Sequence, residues 1–207
     1  MAQNCNGHQE EVRERILRRA MDLFFANGIK SVKMDDIAAD LQMSKRTLYE
    51  MFEDKENLLL ASIRYNHEQN KRRIAVIASQ ADNPLEVFAG VFNMKMDEVR
   101  RVSAQFITDC KRYDSITKGF EEESKTRKED TLRFVNSCVE QGLFREGVDY
   151  VLITRMFDLV SRTMIENEIY KEYSMDRIVF TMYDTFFRGI CTPKGLEILD
   201  KKINKKQ

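Results

Sequence analysis

The chain of 207 residues is 43% hydrophobic and 33% charged, and it contains only 8 Gly and 2 Pro. These values exclude a disordered chain, and the scarcity of Gly and Pro favours long helices, so we expect a globular all-α protein with a substantial core. The formal net charge is zero, and residues 1–80 carry 13 Lys and Arg (five Lys, eight Arg) against 12 Asp and Glu (five Asp, seven Glu), so any contact with a nucleic acid must come from a local basic patch.

Cysteine usage and the first residues indicate a cytoplasmic protein. The cysteines Cys5, Cys110, Cys138 and Cys191 are widely spaced and form no Cys-x-x-Cys pair, which is typical of reduced thiols. Residues 1–8 lack the apolar run of a signal peptide and are expected to be frayed. No apolar stretch approaches the roughly 20 residues that a membrane-spanning helix needs, so we expect no membrane association.

The first predicted helix covers about residues 9–27. Its apolar residues recur at helical spacing, and Gly28 follows as the expected C′ residue, because glycine adopts a positive φ at little cost. The apolar positions are Val12, Ile16, Ala20, Leu23 and Phe24.

Residues 34–55 predict two short helices joined by a tight turn. The second helix starts at Lys45, after Ser44, whose hydroxyl can accept a hydrogen bond from a backbone N–H of the first turn. The apolar positions are Ile37, Ala38 and Leu41 in the first helix and Leu48, Met51 and Phe52 in the second. The side chains left to project outward from the second helix are Lys45, Arg46, Thr47 and Tyr49.

This pair of helices suits a helix-turn-helix, in which the second helix enters the major groove of DNA and reads it with the residues of its first turn. Short amphipathic helix pairs also occur in many other folds. On spacing alone, both interpretations stay open.

A long helix is predicted from Lys55 to about Gln80, with Asp54 as its N-cap. Its apolar residues lie at the two ends, whereas residues 64–73 are almost entirely polar. A helix of this kind suits a connection between two packed bodies. The predicted division is a helix-turn-helix domain at residues 1–55, a connector helix at 55–80 and a second helical domain at 81–207.

The remaining chain predicts four more helices. Asn83 as N-cap and Pro84 at the first helical position start the first of them, which is expected to end near Tyr113. The others cover about residues 120–141, 149–172 and 175–191, with a turn at 143–147 that tucks two apolar residues inward. The final lysines, expected to form a frayed and solubilising tail, are Lys201, Lys202, Lys205 and Lys206.

The last predicted helix, residues 175–191, is apolar around more than half of its girth. One packed face occupies roughly 100° of a helix, so this helix needs two apolar neighbours. Because a domain of this size offers one core, the second neighbour could be another chain.

Six segments of the first 63 residues form a specific set: Leu23-Phe24-Phe25-Ala26-Asn27-Gly28, Asp36-Ile37-Ala38, Ser44-Lys45-Arg46-Thr47-Leu48-Tyr49, Phe52, Asp54-Lys55-Glu56 and Leu58-Leu59. Together they resemble the DNA-binding domain of the TetR family, without a gap from about residue 9 to 63, and residues 187–195 add a weaker resemblance. The resemblance implies a dimeric, all-helical transcriptional regulator. Its first three helices and the start of the fourth would bind DNA, and the others would bind an effector and dimerise through the last two.

Matched residue by residue, the resemblance implies a set of DNA contacts that start from the helix capped by Ser44. Tyr49 would contact a phosphate or a thymine methyl group. Thr47 and Lys45 would contact phosphate or a base edge, and Lys55 would hold phosphate at the start of the connector helix. Hydroxyl and ammonium groups suit such contacts with the DNA backbone, whereas contacts with base edges give specificity.

Four positions depart from the family pattern. Lys33 replaces the Ser or Thr that usually caps the second helix, which removes a side-chain cap and adds a candidate phosphate contact. Gln42 replaces the usual turn glycine, so the turn must hold a side chain under some strain. Arg46 replaces a small residue and is the best candidate for direct guanine readout through its guanidinium fork. Met51 replaces a frequent His, so one phosphate contact is expected to be absent.

Aromatic and methionine side chains in the C-terminal part are candidates for an effector pocket, although most such stripes are simply core. A pocket of this kind would favour apolar or aromatic molecules. The candidate lining is Phe88, Phe92, Met96, Phe106, Phe134, Met156 and Phe157. The candidate residues of a homodimer interface are Val160, Met164, Val179, Tyr183, Phe186 and Phe187.

The sequence thus predicts a repressor that a small apolar or aromatic effector releases from a palindromic operator in double-stranded DNA. The alternatives are a DNA-organising or partner-controlled DNA-binding protein without a small effector, and a helical enzyme or carrier without DNA. His8 and His67 suggest no nucleophile–base pair, and the scattered histidines and cysteines have no metal-ligand spacing, so we expect no catalytic residue, cofactor or metal. A redox role for Cys110 or Cys138 is disfavoured against buried structural thiols.

Overall fold

The computed structural model describes residues 2–113 and 130–203, with side chains from residue 7 onward. The described ranges are helical and contain no β-strand, which confirms the predicted all-α class. The helices are α1 (Ala2–Asn27), α2 (Met34–Asp40), α3 (Lys45–Met51), α4 (Lys55–Gln80), α5 (Pro84–Val99), α6 (Ala104–Cys110), α7 (130–140), α8 (Tyr150–Glu166), α9 (Met175–Ile190) and α10 (Pro193–Lys202). None of the helices in these ranges combines the length and apolar character needed to cross a membrane.

Packing divides the described chain into two compact units. The first unit contains residues 2–73 and 101–113, and the second contains residues 74–100 and 130–203. α4 therefore contributes to both units, and α6 belongs to the first unit although it follows α5 in the chain. The functional division predicted from the sequence, with borders near residues 55 and 81, stays a prediction, because the borders set by packing lie elsewhere.

The first unit has a core formed by the helix pair and the helices that brace it. Side chains from four helices are fully buried in this core: Ile16 and Phe24 of α1, Ile37 of α2, Leu48 of α3, and Leu58 and Leu59 of α4. Each of them belongs to the apolar spacing that predicts its helix. α2 and α3 are thus held by burial, with roughly 1.5–3 kcal/mol available from each large apolar side chain.

α1 ends at a glycine against which α6 packs closely. Gly28 has a φ of +84°, and its N–H donates to the carbonyl of Phe24 at 2.9 Å, as expected for a C′ residue. A Cβ on Gly28 would come within 2.5 Å of Cγ of Gln105 in α6. The N–H of Ser103 donates to the carbonyl of Phe25 at 2.8 Å. α6 is therefore part of the same packed unit as the helix pair.

The prediction of one helix from Pro84 to near Tyr113 is wrong. The helix stops at Val99, and a new one starts at Ala104, because the hydroxyl of Ser103 accepts a hydrogen bond from the N–H of Phe106 at 3.2 Å. The ring of Phe106 lies edge-to-face on that of Phe25, at a centroid distance of 5.0 Å, in the core of the first unit. Phe106 therefore lies outside the C-terminal cluster of aromatic residues to which the sequence assigned it.

The second unit contains a helix that the sequence analysis missed. α10 starts with Thr192, whose hydroxyl accepts from the N–H of Gly195 at 3.2 Å, and continues through Lys201 and Lys202. The guanidinium of Arg188 in α9 is bonded to Asp200 of α10 at 2.7 Å. The expected frayed tail is therefore wrong for Lys201 and Lys202, and Lys205 and Lys206 lie outside the described residues.

Other boundaries differ in smaller ways. α1 begins at Ala2 rather than near residue 9. The helix predicted at 149–172 stops at Glu166, because Glu168 takes a φ of +58° and a short 3-10 turn follows. α9 confirms the helix predicted at 175–191 to within one residue. Residues 120–129 of the helix predicted at 120–141 lie outside the described residues.

Candidate nucleic-acid interface

α2 starts without a side-chain cap, as the sequence predicts from Lys33. The ammonium group of Lys33 cannot accept a hydrogen bond, and the carboxylate of Asp36 instead accepts from the N–H of Lys33 at 2.9 Å. At the other end, Arg19 of α1 donates through Nε and a terminal nitrogen to the carboxylate of Asp40, at 2.6 and 2.8 Å. This bidentate pair ties α2 to α1 and lowers the pKa of Asp40.

The turn between α2 and α3 is tight and contains a strained residue. Gln42 has a φ of +53°, the left-handed region that side chains other than glycine rarely occupy. The N–H of Met43 donates to the carbonyl of Ala38 at 3.0 Å. Ser44 then caps α3, accepting from the N–H of Thr47 at 3.1 Å. The backbone strain at Gln42 and the cap at Ser44 both agree with the sequence analysis.

We expect the substitution Gln42→Gly to stabilise the first unit by about 1 kcal/mol. A residue with a Cβ costs roughly 1–2 kcal/mol in the left-handed region, and the greater conformational entropy of glycine in the unfolded chain offsets part of the gain. Denaturant unfolding followed by circular dichroism measures the difference. Gln42→Ala is the control, since it removes the same side chain and keeps the Cβ. Equal stability of the glycine and alanine variants would contradict the assignment of strain to this residue.

α3 presents a polar surface to solvent over its first turns. Arg46 is the most exposed of its charged side chains, at 88%, and its Nε lies 2.7 Å from a carboxylate oxygen of Glu50. Lys45 is bonded to Asp35 of α2 at 2.6 Å, which raises the pKa of Lys45 above its ordinary value. The hydroxyls of Ser44 and Thr47 lie 2.7 Å apart, and Tyr49 is half exposed.

The fold therefore brings five of the predicted DNA-binding residues onto one short helix and its cap, and it places the exposed Lys33 at the start of α2. The sequence analysis missed two carboxylates, Asp35 and Glu50, which form ion pairs with Lys45 and Arg46 respectively. Glu50 was detectable, because it follows Arg46 by four residues, the spacing at which side chains meet on a helix. Asp35 was not, because its contact depends on how α2 and α3 pack.

Lys55 occupies a different position from the other predicted contacts. Its ammonium group lies 2.9 Å from the carbonyl oxygen of Ile29 and 3.0 Å from that of Val32, in the loop between α1 and α2. A phosphate would have to compete with these carbonyls for the N–H groups of Lys55. The phosphate contact stays a prediction, and this geometry favours a second role, which is to hold the loop in place.

We expect Lys55→Met to lower the free energy of unfolding of the first unit by about 1–2 kcal/mol, since hydrogen bonds from a charged donor contribute roughly 1.5–3 kcal/mol when buried and less when partly exposed. Chemical unfolding measures this loss. Lys71→Met is the matched control on α4, because Lys71 makes only an exposed pair with Glu68, at 2.9 Å. A Lys55→Met variant as stable as the wild type would leave phosphate binding as the role of Lys55.

The second unit contains a cluster of aromatic rings between α5 and α9. The rings of Phe88 and Phe187 are stacked at a centroid distance of 3.9 Å, and Phe92 lies 5.3 Å from Tyr183. Beside them is a narrow cleft with a cavity volume of about 10 Å³. The cleft is lined by Phe88, Phe92, Phe180, Tyr183, Asp184, Phe187, Arg188, Leu199 and Ile203.

The predicted pocket residues fall into three groups. Phe134 and Phe157 join Phe88 and Phe92 in the cluster, at 5.9 Å from Phe88 and 5.0 Å from Tyr183 respectively. Met96 is buried on α5, but the cleft lining does not include it. Met156 points away, with 44% of its surface exposed. Four of the seven candidates thus belong to the aromatic cluster, whereas Met96, Met156 and Phe106 do not.

α8 has an apolar face that residues 2–113 and 130–203 leave uncovered. None of its residues is buried, although the helix is amphipathic. Leu152, Met156 and Leu159 recur at intervals of four and three, so they share one face, and each is between 44% and 54% exposed. Val151 is 66% exposed beside them.

The predicted interface residues are less exposed than this face. Val160, Met164, Val179 and Phe186 are half-buried, while Tyr183 and Phe187 pack into the aromatic cluster of their own unit. The sequence analysis missed Leu152 and Leu159 as candidates. Their spacing was visible, but apolar spacing alone does not tell which face the same chain covers.

The described cysteines are poorly suited to thiol chemistry. Burial raises the pKa of the Cys110 and Cys138 thiols to about 12 and that of Cys191 to about 11, so little thiolate forms near neutral pH. Within residues 2–113 and 130–203, no three His, Cys, Asp or Glu side chains come together as metal ligands would.

The braced helix pair, with a Ser44-capped helix that exposes basic and hydroxyl side chains, defines a DNA-binding protein of the helix-turn-helix class. Residues 16–62 match the family model described as "Bacterial regulatory proteins, tetR family". The chain is therefore similar to the TetR family of DNA-binding transcriptional regulators, which are commonly repressors.

Individual relatives support the same family. The HTH-type transcriptional regulator YuxN of Bacillus subtilis is 32% identical over 75 residues, which are 36% of this chain and 26% of that protein. The HTH-type transcriptional repressor KstR2 of Mycolicibacterium smegmatis is 23% identical over 164 residues, or 75% of this chain and 78% of that protein. The structure of the ketosteroid transcriptional regulator KstR2 of Mycobacterium tuberculosis shares the fold, with a TM-score of 0.58, 20% identity and coverage of 87% of this chain and 95% of that chain.

Proposed function

We propose that the protein is a cytoplasmic repressor that binds a palindromic operator as a homodimer and leaves it when a small apolar or aromatic effector binds the second unit. The observation that supports DNA binding best is α3 itself. Its Ser44 cap fixes the first turn, and the side chains of Arg46, Thr47 and Tyr49, from the first two turns, are exposed to solvent. A helix with exposed polar side chains in its first turns is what major-groove readout requires.

The side chains of this surface divide into two kinds by chemistry. Lys33, Lys45, Thr47 and Tyr49 offer ammonium and hydroxyl groups, which suit phosphate contacts that set register and orientation. Arg46 offers a planar fork of donors, which matches O6 and N7 of guanine. We assign base readout to Arg46 and backbone contacts to the others.

Selection of bound DNA from random duplexes tests the proposal, followed by affinity measurements on the selected duplex. We expect Arg46→Ala to relax the preference at one base pair per half-site by roughly 1–3 kcal/mol and to leave binding to random DNA less affected. Lys33→Ala should weaken binding to all duplexes alike. Equal losses of affinity for both variants on selected and random duplexes would contradict this division between base readout and backbone contacts. If no sequence is enriched in the selection, the proposed function is wrong.

One observation supports a palindromic operator. The uncovered face of Leu152, Met156 and Leu159 on α8 suits a second copy of the chain, because a self-complementary apolar face closes a two-fold dimer. Two recognition helices related by a two-fold axis read half-sites about one helical turn of DNA apart, or a multiple of it. The selected sequences should therefore show an inverted repeat.

The effector is proposed to enter the aromatic cluster of the second unit. Rings of Phe88, Phe92 and Tyr183 beside the cleft would favour an apolar or aromatic molecule, and the related KstR2 of Mycobacterium tuberculosis is described as a ketosteroid regulator. Thermal unfolding with a library of apolar and aromatic compounds tests this, with release of the selected duplex as the second measurement. A compound that raises the midpoint and releases the duplex supports an effector-controlled repressor.

A second candidate function is favoured by one observation. The cleft has a cavity volume of only about 10 Å³, and the neighbouring rings of Phe88 and Phe187 are stacked, whereas ligand sites usually offer roughly 300–1,000 Å³. A closely packed cluster suits a DNA-organising or partner-controlled protein without a small effector. Binding of the operator that no compound of the library alters would favour this candidate.

A further inference from the structure

Arg46 and Glu50 form a pair of side chains on the outer surface of α3. The distance from Nε of Arg46 to Oε1 of Glu50 is 2.7 Å, and the two side chains are 88% and 60% exposed. Nε is the single inner nitrogen of the guanidinium group, so this hydrogen bond leaves the two terminal nitrogens and their four hydrogens without use in the pair. The terminal nitrogens are the outermost atoms of the arginine side chain.

We propose that Glu50 is a positioning residue for base readout, which holds the guanidinium of Arg46 so that its two terminal nitrogens meet a guanine end-on. O6 and N7 of guanine are two acceptors on one edge of the base, and a guanidinium recognises them with two parallel hydrogen bonds. With Nε bonded to Glu50, the orientation of the fork is set before DNA binds. The proposal rests on the proposed function of the chain and assigns a specificity-determining residue within it.

The position of Glu50 on α3 favours this role over helix support. A carboxylate on a DNA-facing surface repels phosphate and is unfavourable there unless a cation pairs with it. α3 is only 7 residues long and is held by the buried Leu48 and the Ser44 cap, so one exposed ion pair adds little to it. An arginine whose side chain is already oriented also loses less conformational entropy when it binds, which increases the preference for guanine over the other bases.

The experiment compares Glu50→Ala and Glu50→Gln in the full chain, on the duplex selected from the random pool and on its single-base-pair variants. The glutamine amide oxygen can still accept from Nε of Arg46, whereas alanine cannot. We expect Glu50→Ala to reduce the preference by roughly tenfold at the base pair that Arg46→Ala also affects, and Glu50→Gln to keep most of it. Both variants should bind random duplexes more tightly than the wild type, because both remove a negative charge.

Glu197→Ala is the matched control. Glu197 pairs with Lys201 at the same spacing of four residues, at 2.6 Å, with side chains 67% and 69% exposed, but it lies on α10. It should leave all base preferences unchanged, and thermal unfolding should show all variants folded. A double substitution at positions 46 and 50 should cost no more preference than Arg46→Ala alone.

Three outcomes overturn the inference while leaving DNA binding intact. Glu50→Ala could leave every base preference unchanged, which would make the pair a surface ion pair only. It could relax a different base pair from Arg46→Ala, which would mean that Glu50 reads a base itself, for example by accepting from N4 of cytosine. Arg46→Ala could leave all preferences unchanged. A wild-type chain that enriches no duplex would overturn the proposed function together with the inference.

Discussion

The double substitution of Leu152→Glu and Leu159→Glu should convert the protein to a monomer and reduce its affinity for the selected operator by roughly a hundredfold or more. Both leucines lie on the uncovered face of α8 and are 54% and 51% exposed, so glutamate is tolerated in the isolated chain. In a dimer, the same positions would bury two charges per chain against an apolar partner, which is strongly unfavourable. A chain with one recognition helix loses the avidity that links two half-sites, which is commonly worth a factor of 10² to 10⁴.

Sedimentation velocity measures the oligomeric state, and titration of the selected duplex measures the affinity. Val76→Glu is the matched control, because Val76 is also 54% exposed but lies on α4. The control variant should stay dimeric and bind the operator as the wild type does. If the double variant is still a dimer, the interface lies elsewhere, and the half-buried candidates Val160 and Phe186 become the next positions to substitute.

The substitution Asp109→Ala should destabilise the first unit by about 1–2 kcal/mol. Asp109 is 1% exposed, and its two carboxylate oxygens accept from the N–H of Lys30 and from the side-chain amide of Gln105, each at 2.8 Å. Alanine leaves the partly buried N–H of Lys30 without this acceptor, whereas the side-chain amide of the exposed Gln105 can turn to water. An unsatisfied buried donor costs roughly 1–3 kcal/mol, and a partly buried one costs less. The loop that holds Lys30 leads directly into α2, so operator affinity should fall as well.

Hydrogen exchange of the Lys30 amide measures the lost bond directly, and chemical unfolding measures the stability. Asp109→Asn is the conservative control: its amide oxygen can accept from Lys30 while its amide nitrogen donates to a flipped Gln105. We expect it to cost less than 1 kcal/mol. Slow exchange at Lys30 in the alanine variant would show that the carboxylate does not hold this loop.

Local signals were sufficient to predict the helix pair from the sequence. Ser44 caps α3, Asn83 caps α5 and Gly28 ends α1, because each of these ends is fixed by residues within one turn. The strain at Gln42 was predicted from the family resemblance, because Gln42 stands where a glycine usually occupies this turn. The exposed positions of Arg46 and Tyr49 followed from the burial of Leu48.

Features that depend on packing between distant segments were not predictable in the same way. The apolar spacing of Phe92, Met96 and Val99 continues at Phe106, so the pattern hid the break before α6. Lys55 reaches the carbonyls of a loop more than 20 residues earlier, and nothing near it in the sequence indicates that contact. α10 is different: Thr192 and Pro193 are a recognisable start signal, and the lysines after them concealed it.

The ion pairs that Lys45 and Arg46 make with carboxylates of their own chain affect how the protein would search a chromosome. The chain has no net charge, and the positive charges of Lys45 and Arg46 on α3 are already paired with carboxylates before DNA binds. DNA of unrelated sequence therefore attracts the protein weakly. Each visit to a decoy sequence is then brief, and a larger share of the molecules is free to find the operator. Because decoys outnumber operators by a factor of roughly 10⁶ or more, a small number of molecules per cell can keep the operator occupied.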